Sequence, residues 1–177
     1  IVVSPESHGP VEALLAAWDG PPLRMETVIQ PEPNGLAAAL GVALPVVGDG
    51  PVLLYLGDCL ITGGIGHVLD RHAESDASAT LLVAKVDDPS RYGIVELGHG
   101  DQIARLVEKP PDPVSDLTIV GVYAFRSGIR DVLDRVEPSA RGEYEITDAV
   151  QLLVDAGEQV LAAPLVGFVN ALMFASM

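Results

Sequence analysis

The apolar run "PVLLYL" stops at Gly57 and then presents a carboxylate, Asp58, beside a thiol, Cys59. In open α/β sheets ligands bind beyond the carboxyl ends of strands, so an acid at such an end can hold a hard divalent cation. A loop acid capping the next helix is the plainer account of the same residue. Cys59 reads most simply as a small buried hydrophobe. In "QPEPNGLAAAL" a strand ends at Gln30, a turn follows, and Gly35 and Leu36 open a small-residue helix. Gln30 offers a donor and an acceptor, which can read one edge of a base. Gly35 lets a backbone approach closely. An ordinary strand-turn-helix connector explains both more economically. In "EKP", Glu108 can accept from sugar hydroxyls and Lys109 can hold a phosphate, or the two are a surface ion pair. In "RGEYEITD", Arg141 could clamp a phosphate. The acids that follow it suit the helix dipole with no function at all. Tyr92-Gly93 is a weak signal alone. The histidines show no metal-ligand spacing and read as surface or packing residues, and there is no nucleophile elbow, phosphate loop or cysteine cluster.

These residues need elements to position them. "IVV", "METVIQ", "PVLLYL" and "ATLLVAKV" read as strands. Between them, Val11, Leu14, Leu15 and Trp18, then Leu36, Ala39, Leu40 and Ala43, then Ile65, Val68, Leu69 and His72 follow helix spacing. That alternation is the grammar of a doubly wound α/β sheet. The second half is richer in strands. "YGIVELG" and "QIARLVE" suggest a hairpin around "GHGD", and "LTIVGVYAF" is a further strand. Ile129, Val132, Leu133 and Val136 mark a helix, as do Ile146, Ala149, Val150 and Leu153. "EQVLAAPLV" is the last strand. With 177 residues, 49% of them hydrophobic, the chain has the size of one domain with a real core.

The net charge of −15, with two lysines and eight arginines, excludes a basic face for a nucleic-acid backbone. An anionic substrate must be held by a few placed cations, backbone N–H groups or a metal. One cysteine allows no internal disulfide, which fits a reducing cytoplasm. The uncharged tail "VLAAPLVGFVNALMFASM" is interrupted by Gly, Pro, Asn and Ser, so a strand with a ragged end is expected there, not a membrane span.

Taken in order, "QPEPNGLAAAL", "LYLGDCLI", "PSRYGIVEL", "EKPPDPVSD", "IVGVYAF" and "RGEYEITDAVQ" resemble the sugar-1-phosphate nucleotidyltransferases, over nearly the whole chain. The "GLA" after the proline turn resembles the thymidylyl branch. The resemblance implies a Rossmann-like nucleotidyltransferase fold, with a mixed, mostly parallel sheet flanked by helices and a strand-rich sugar-binding half. It implies that Gln30 and Gly35 contact the pyrimidine and that Leu36 packs near the nucleoside. Asp58 would bind magnesium, Mg2+. Tyr92, Gly93 and Glu108 would hold the glucose. Lys109 and Arg141 would hold the sugar phosphate, and Ile119, Gly121 and Tyr123 would line the sugar pocket. The partners would be dTTP and glucose-1-phosphate, with assembly into a homo-oligomer left open. The family's N-terminal Gly-rich loop has no counterpart here. Its Gly-Asp-Asn reads Gly57-Asp58-Cys59, and its Trp-x-Asp-Thr-Gly, whose Asp is a second metal ligand, has none in "GFVNALMFASM". The expectation is one N-terminally incomplete domain, residues 1–177, that catalyses poorly by itself. The alternative is a non-catalytic nucleotide-sugar-binding relative or an assembly subunit.

Overall fold

A computed structural model describes residues 1–167 and 169–171. The fold is α/β, a mixed sheet flanked by helices, as the alternation of apolar runs predicts. It starts with a small parallel pair, β1 (Val2–Val3) and β2 (Val28–Ile29), joined through helix α1 (Pro5–Ala16). Ser4 caps α1. Its hydroxyl accepts from the Ser7 N–H, and the Ser7 hydroxyl accepts from the Ser4 N–H. The start is thus earlier than Pro10 suggests, and Pro10 lies inside the helix. The expected apolar face is not a core face. No residue of α1 is buried, Leu14 is exposed, and Trp18 lies beyond the helix end. The strand expected over "METVIQ" shrinks to Val28 and Ile29.

The main sheet is organised by β8 (Leu117–Phe125), whose residues from Thr118 onward are buried. A strand covered on both faces reads as a continuous apolar run, and "LTIVGVYAF" is one. Along one edge of β8 lies β5 (Ala79–Lys85), antiparallel. The other edge is shared by β3 (Val52–Tyr55) near the end of β8 and β6 (Gly93–Leu97) near its start. Outside β6 runs β7 (Ile103–Glu108) as a hairpin partner, and outside β5 runs β9 (Val160–Pro164), parallel to it. Thus β3, β5, β6 and β9 share one direction, and β7 and β8 run against them. A doubly wound sheet would give β3 a parallel partner, and that expectation is corrected. Among the described residues its ladder is antiparallel, to β8, which is long enough to pair with both β6 and β3 along one edge.

Alternation along the strands divides the core. Leu81, Val83, Tyr123 and Phe125 pack on one side with α2 (Leu36–Val47), α4 (Ile129–Leu133) and α5 (Ile146–Asp155). Leu82, Val120, Val122 and Ala124 pack on the other with Val68 of α3 (Gly66–Glu74). In α5 all four spaced residues, Ile146, Ala149, Val150 and Leu153, are buried. In α3 the buried pair is Val68 and His72, while Leu69 is exposed. The His72 Nδ1 pairs with the Thr80 hydroxyl at 3.1 Å, a packing role. After Asp58 a short strand β4 (Cys59–Ile61) pairs antiparallel with β10 (Val169–Ala171), with Ala171 opposite Cys59. The rest of the tail stretch "GFVNALMFASM" beyond Gly167, residues 168 and 172–177, lies outside the described residues. Among the described residues no helix is long and apolar enough to cross a membrane.

Candidate active site

Beyond Tyr55 the chain leaves the sheet in a tight turn. The Leu56 N–H donates to the Gly121 carbonyl at 2.9 Å, and the Cys59 N–H donates back to the Leu56 carbonyl at 3.1 Å. The Tyr55 hydroxyl donates to the Cys59 carbonyl at 2.8 Å. Asp58 is thereby lifted onto the rim of a cavity of about 310 Å³. Lys109 and Glu108 line the same cavity. They arrive there because β6 and β7 pair in a register that sets Gly93 opposite Glu108. The Lys109 N–H then donates to the Tyr92 carbonyl at 3.1 Å. Two motifs fifteen residues apart in sequence become one wall through that ladder, and Tyr92 and Gly93 complete it. Lys109 itself has φ of 39°, and it is the one non-glycine residue with positive φ among the described residues. Such backbone positions concentrate where a side chain must be aimed.

The floor comes from β8. Ile119, Gly121 and Tyr123 follow the period of two and line the cavity together. Gly121 has φ of 66°, and a Cβ there would lie 2.6 Å from the Cys59 Sγ and 3.2 Å from the Leu56 Cβ. The Tyr123 ring stacks on Phe125 with centroids 6.0 Å apart. Burial, then the charge of Glu108, pushes its phenol up. The third wall is the segment entering α5 together with Leu36 at the start of α2. These are clipped to each other. The Tyr144 N–H donates to the Asn34 carbonyl at 2.8 Å, and the Ala37 N–H donates to the Tyr144 carbonyl at 3.0 Å. Gly35, at φ of 112°, sits so close that a Cβ would be 2.4 Å from the Tyr144 oxygen.

Of the residues expected at the site, Asp58, Leu36, Tyr92, Gly93, Glu108, Lys109, Ile119, Gly121 and Tyr123 share this cavity. Arg141 lines an adjoining cleft of about 580 Å³, which shares Glu108, Lys109 and Glu145 with it. Gln30 and Gly35 do not line the cavity. The Gln30 side-chain amide donates to the Asn34 Oδ1 at 2.9 Å and to the Gly35 carbonyl at 3.1 Å, bracing the turn that presents Leu36. Two residues escaped the sequence reading. Thr147 donates its hydroxyl to the Glu108 Oε2 at 2.5 Å. Glu145, buried, accepts from the Ser139 hydroxyl at 3.0 Å and lies 3.7 Å from Arg141. The acids after Arg141 were visible but matched the helix dipole equally well, and Thr147 gave no signal. Thr147→Val keeps the shape and removes a charge-assisted donor from a half-buried partner. Stability should fall by about 1.5–3 kcal/mol, read as a lower urea midpoint. A midpoint equal to that of the native protein would show that the hydroxyl does not hold Glu108.

Charge is concentrated at this junction. The Arg141 guanidinium lies 2.8 Å from Glu143 and 3.7 Å from both Glu108 and Glu145, and Lys109 lies 3.6 Å from Glu108. The Glu143 hydrogen bond is the main cause of a raised Arg141 pKa. Burial holds Glu145 above the usual carboxylate range. Burial and then Glu108 do the same to Asp148. Burial, with Asp58 adding, pushes the Cys59 thiol up to about 11, so it is protonated at neutral pH and donates to the Asp58 Oδ1 at 3.6 Å. It is no nucleophile, in line with its reading as a small hydrophobe.

Whether the residues fit a magnesium ion is decided by the donors around Asp58. Its carboxylate is exposed at the rim, and among the described residues no cluster of three acidic, histidine or cysteine side chains could hold an ion. Mg2+ keeps several waters and needs only one or two protein carboxylates when phosphates supply other oxygens. The donors therefore fit a magnesium ion brought in with a phosphate, held by Asp58, and do not fit one held by protein alone.

Comparison with known proteins bears on the whole chain. The sequence profile described as nucleotidyl transferase matches residues 1–169. A glucose-1-phosphate thymidylyltransferase from Streptomyces griseus is 35% identical over 159 residues, which cover 89% of this chain and 45% of that protein. A UTP–glucose-1-phosphate uridylyltransferase, AglF, from Haloferax volcanii is 37% identical over 141 residues, 78% of this chain and 58% of that one. Among solved structures, a Bacillus anthracis protein assigned as a glucose-1-phosphate thymidylyltransferase, in complex with a sucrose, superposes with a TM-score of 0.84 at 27% identity. That match covers 97% of this chain and 69% of the other. The chain spans about half the length of the curated relatives it matches.

Proposed function

The chain belongs to the nucleotidyl transferase family, among its sugar-1-phosphate members, and from that membership we propose that it serves the transfer of a thymidylyl group from dTTP to glucose-1-phosphate. A phosphate oxygen of the sugar phosphate bonds to the α-phosphorus of dTTP. The bond from that phosphorus to the β-phosphate oxygen breaks, and pyrophosphate leaves with the electron pair. Little covalent chemistry falls to the protein, so its contribution is positioning and charge stabilisation.

The observation that carries this reading is the hairpin register that joins Gly93 to Glu108 and ties Lys109 to Tyr92, in one cavity with Asp58. Glu108 accepts from the glucose hydroxyls, oriented by Thr147, while Tyr92, Ile119, Gly121 and Tyr123 enclose the ring. Lys109 holds the sugar phosphate, and Arg141 reaches it from the adjoining cleft. Leu36 packs on the nucleoside, presented by a turn that Gln30 and Gly35 shape. Asp58 would hold a magnesium ion, whose contribution when bound is to neutralise charge on the phosphate oxygens.

Titration calorimetry on a folded sample tests the reading. Binding of dTDP-glucose is expected, with UDP-glucose weaker. Absence of binding at millimolar concentration would remove the sugar-nucleotide assignment. Tighter binding of UDP-glucose would move it to the uridylyl relatives, one of which is among those matched.

A further inference from the structure

We propose that Glu145 is a positioning residue: it holds the Arg141 guanidinium in the adjoining cleft and takes up a proton when a sugar phosphate draws Arg141 away. The proposal deepens the sugar-phosphate reading above and rests on it. One guanidinium faces three carboxylates, so an arriving phosphate must compete with all of them. The three acids stand to lose differently. The Glu143 side chain is 37% exposed, and water can replace the cation there. Glu108 keeps the Thr147 hydroxyl and, on the reading above, gains the hydroxyls of the sugar. Glu145 has a side chain only 8% exposed and retains the neutral Ser139 hydroxyl. A buried carboxylate that loses its cation is costly, and protonation relieves the cost.

The surrounding groups push the same way. Glu108 and Glu143 favour protonation of Glu145, and Arg141 opposes it. Arg105 and Lys109 at β7 and Asp148 on α5 line the shared cleft. Asp58, Cys59, Arg91, Tyr92 and Tyr123 line the main cavity together with Glu145. Raised values keep Cys59 and Tyr123 protonated through neutral pH, so neither supplies the proton change. Binding that favours the protonated form of Glu145 must itself strengthen as pH falls through the range where Glu145 titrates.

The probe is dTDP-glucose, whose diphosphate diester keeps its charge across that range. Calorimetry at a series of pH values across the acidic range, each in two buffers of different ionisation enthalpy, reads the protons exchanged on binding. Net uptake of part of a proton is expected in the native protein. It should vanish in Glu145→Gln, persist in Asp148→Asn and shrink in Arg141→Gln. In ligand-free protein, Arg141→Gln should move the Glu145 titration, followed by carboxyl-carbon NMR, to higher pH. Uptake unchanged in Glu145→Gln or Arg141→Gln, or an unmoved Glu145 titration, overturns the proposal. Binding without buffer dependence overturns it and leaves the sugar-phosphate reading standing. Absence of binding overturns both.

Discussion

Gly121→Ala is expected to cost about 2–5 kcal/mol of stability, from the left-handed backbone position and from overpacking. At φ of 66° an L-residue is strained even in open space, and the space here is not open. The added Cβ would lie 2.6 Å from the Cys59 Sγ and 3.2 Å from Leu56, which is held to Gly121 by a backbone hydrogen bond. The strand and the Asp58 turn would be forced apart at the floor of the cavity. A lower midpoint in urea, with loss of dTDP-glucose binding, is the expected result. The two causes separate with a second substitution. Cys59→Ala in the Gly121→Ala background should return part of the stability, since it removes the sulfur and leaves the backbone strain. A single variant as stable as the native protein would mean that the turn does not approach β8 as described.

Lys109→Ala should weaken dTDP-glucose binding by on the order of 10- to 100-fold, the range for a hydrogen bond to a charged group. Besides Lys109 the chain has only Lys85 as a lysine, and Lys85 pairs with Asp116 outside this cavity. On a protein of net charge −15 an anion gains nothing from the general field, so one well-placed cation matters more. The Lys109 side chain is 42% exposed, so salt screens it, and the gap between native and variant should narrow as ionic strength rises. Calorimetry at two salt concentrations checks both parts, with circular dichroism to confirm the fold. Equal affinity of the two proteins would remove Lys109 from the phosphate site.

Much of the architecture was legible because buried strands leave few alternatives. "LTIVGVYAF" is a short apolar run rich in β-branched and aromatic residues, which suits a strand covered on both faces, and β8 spans those residues. "GHGD" between two alternating segments forecast the β6–β7 hairpin, and the spaced residues of α5 are all buried. The Val11–Trp18 pattern misled, since spacing reports a helix but not a partner for its face, and nothing buries α1 among the described residues. The cavity was legible where function demands unusual residues in order. Glu145 and Thr147 act on Arg141 and Glu108 through side-chain geometry that folds into place only when α5 meets β7. Such second contacts leave no period or spacing to read.

β8 is at once the spine of the sheet and the floor of the cavity. Ile119 and Tyr123, which would face a sugar ring, also belong to the larger core cluster. Any change of volume at either position is felt by α2, α4 and α5 as well as by a ligand. The floor is therefore poor ground for the drift of sugar preference over evolution, or for its redesign. Tyr92, Lys109 and Glu143 lie at the ends of elements, half-buried or exposed, where substitutions disturb little packing. New selectivity on this scaffold would have to be written along that margin, with the floor carried forward unchanged.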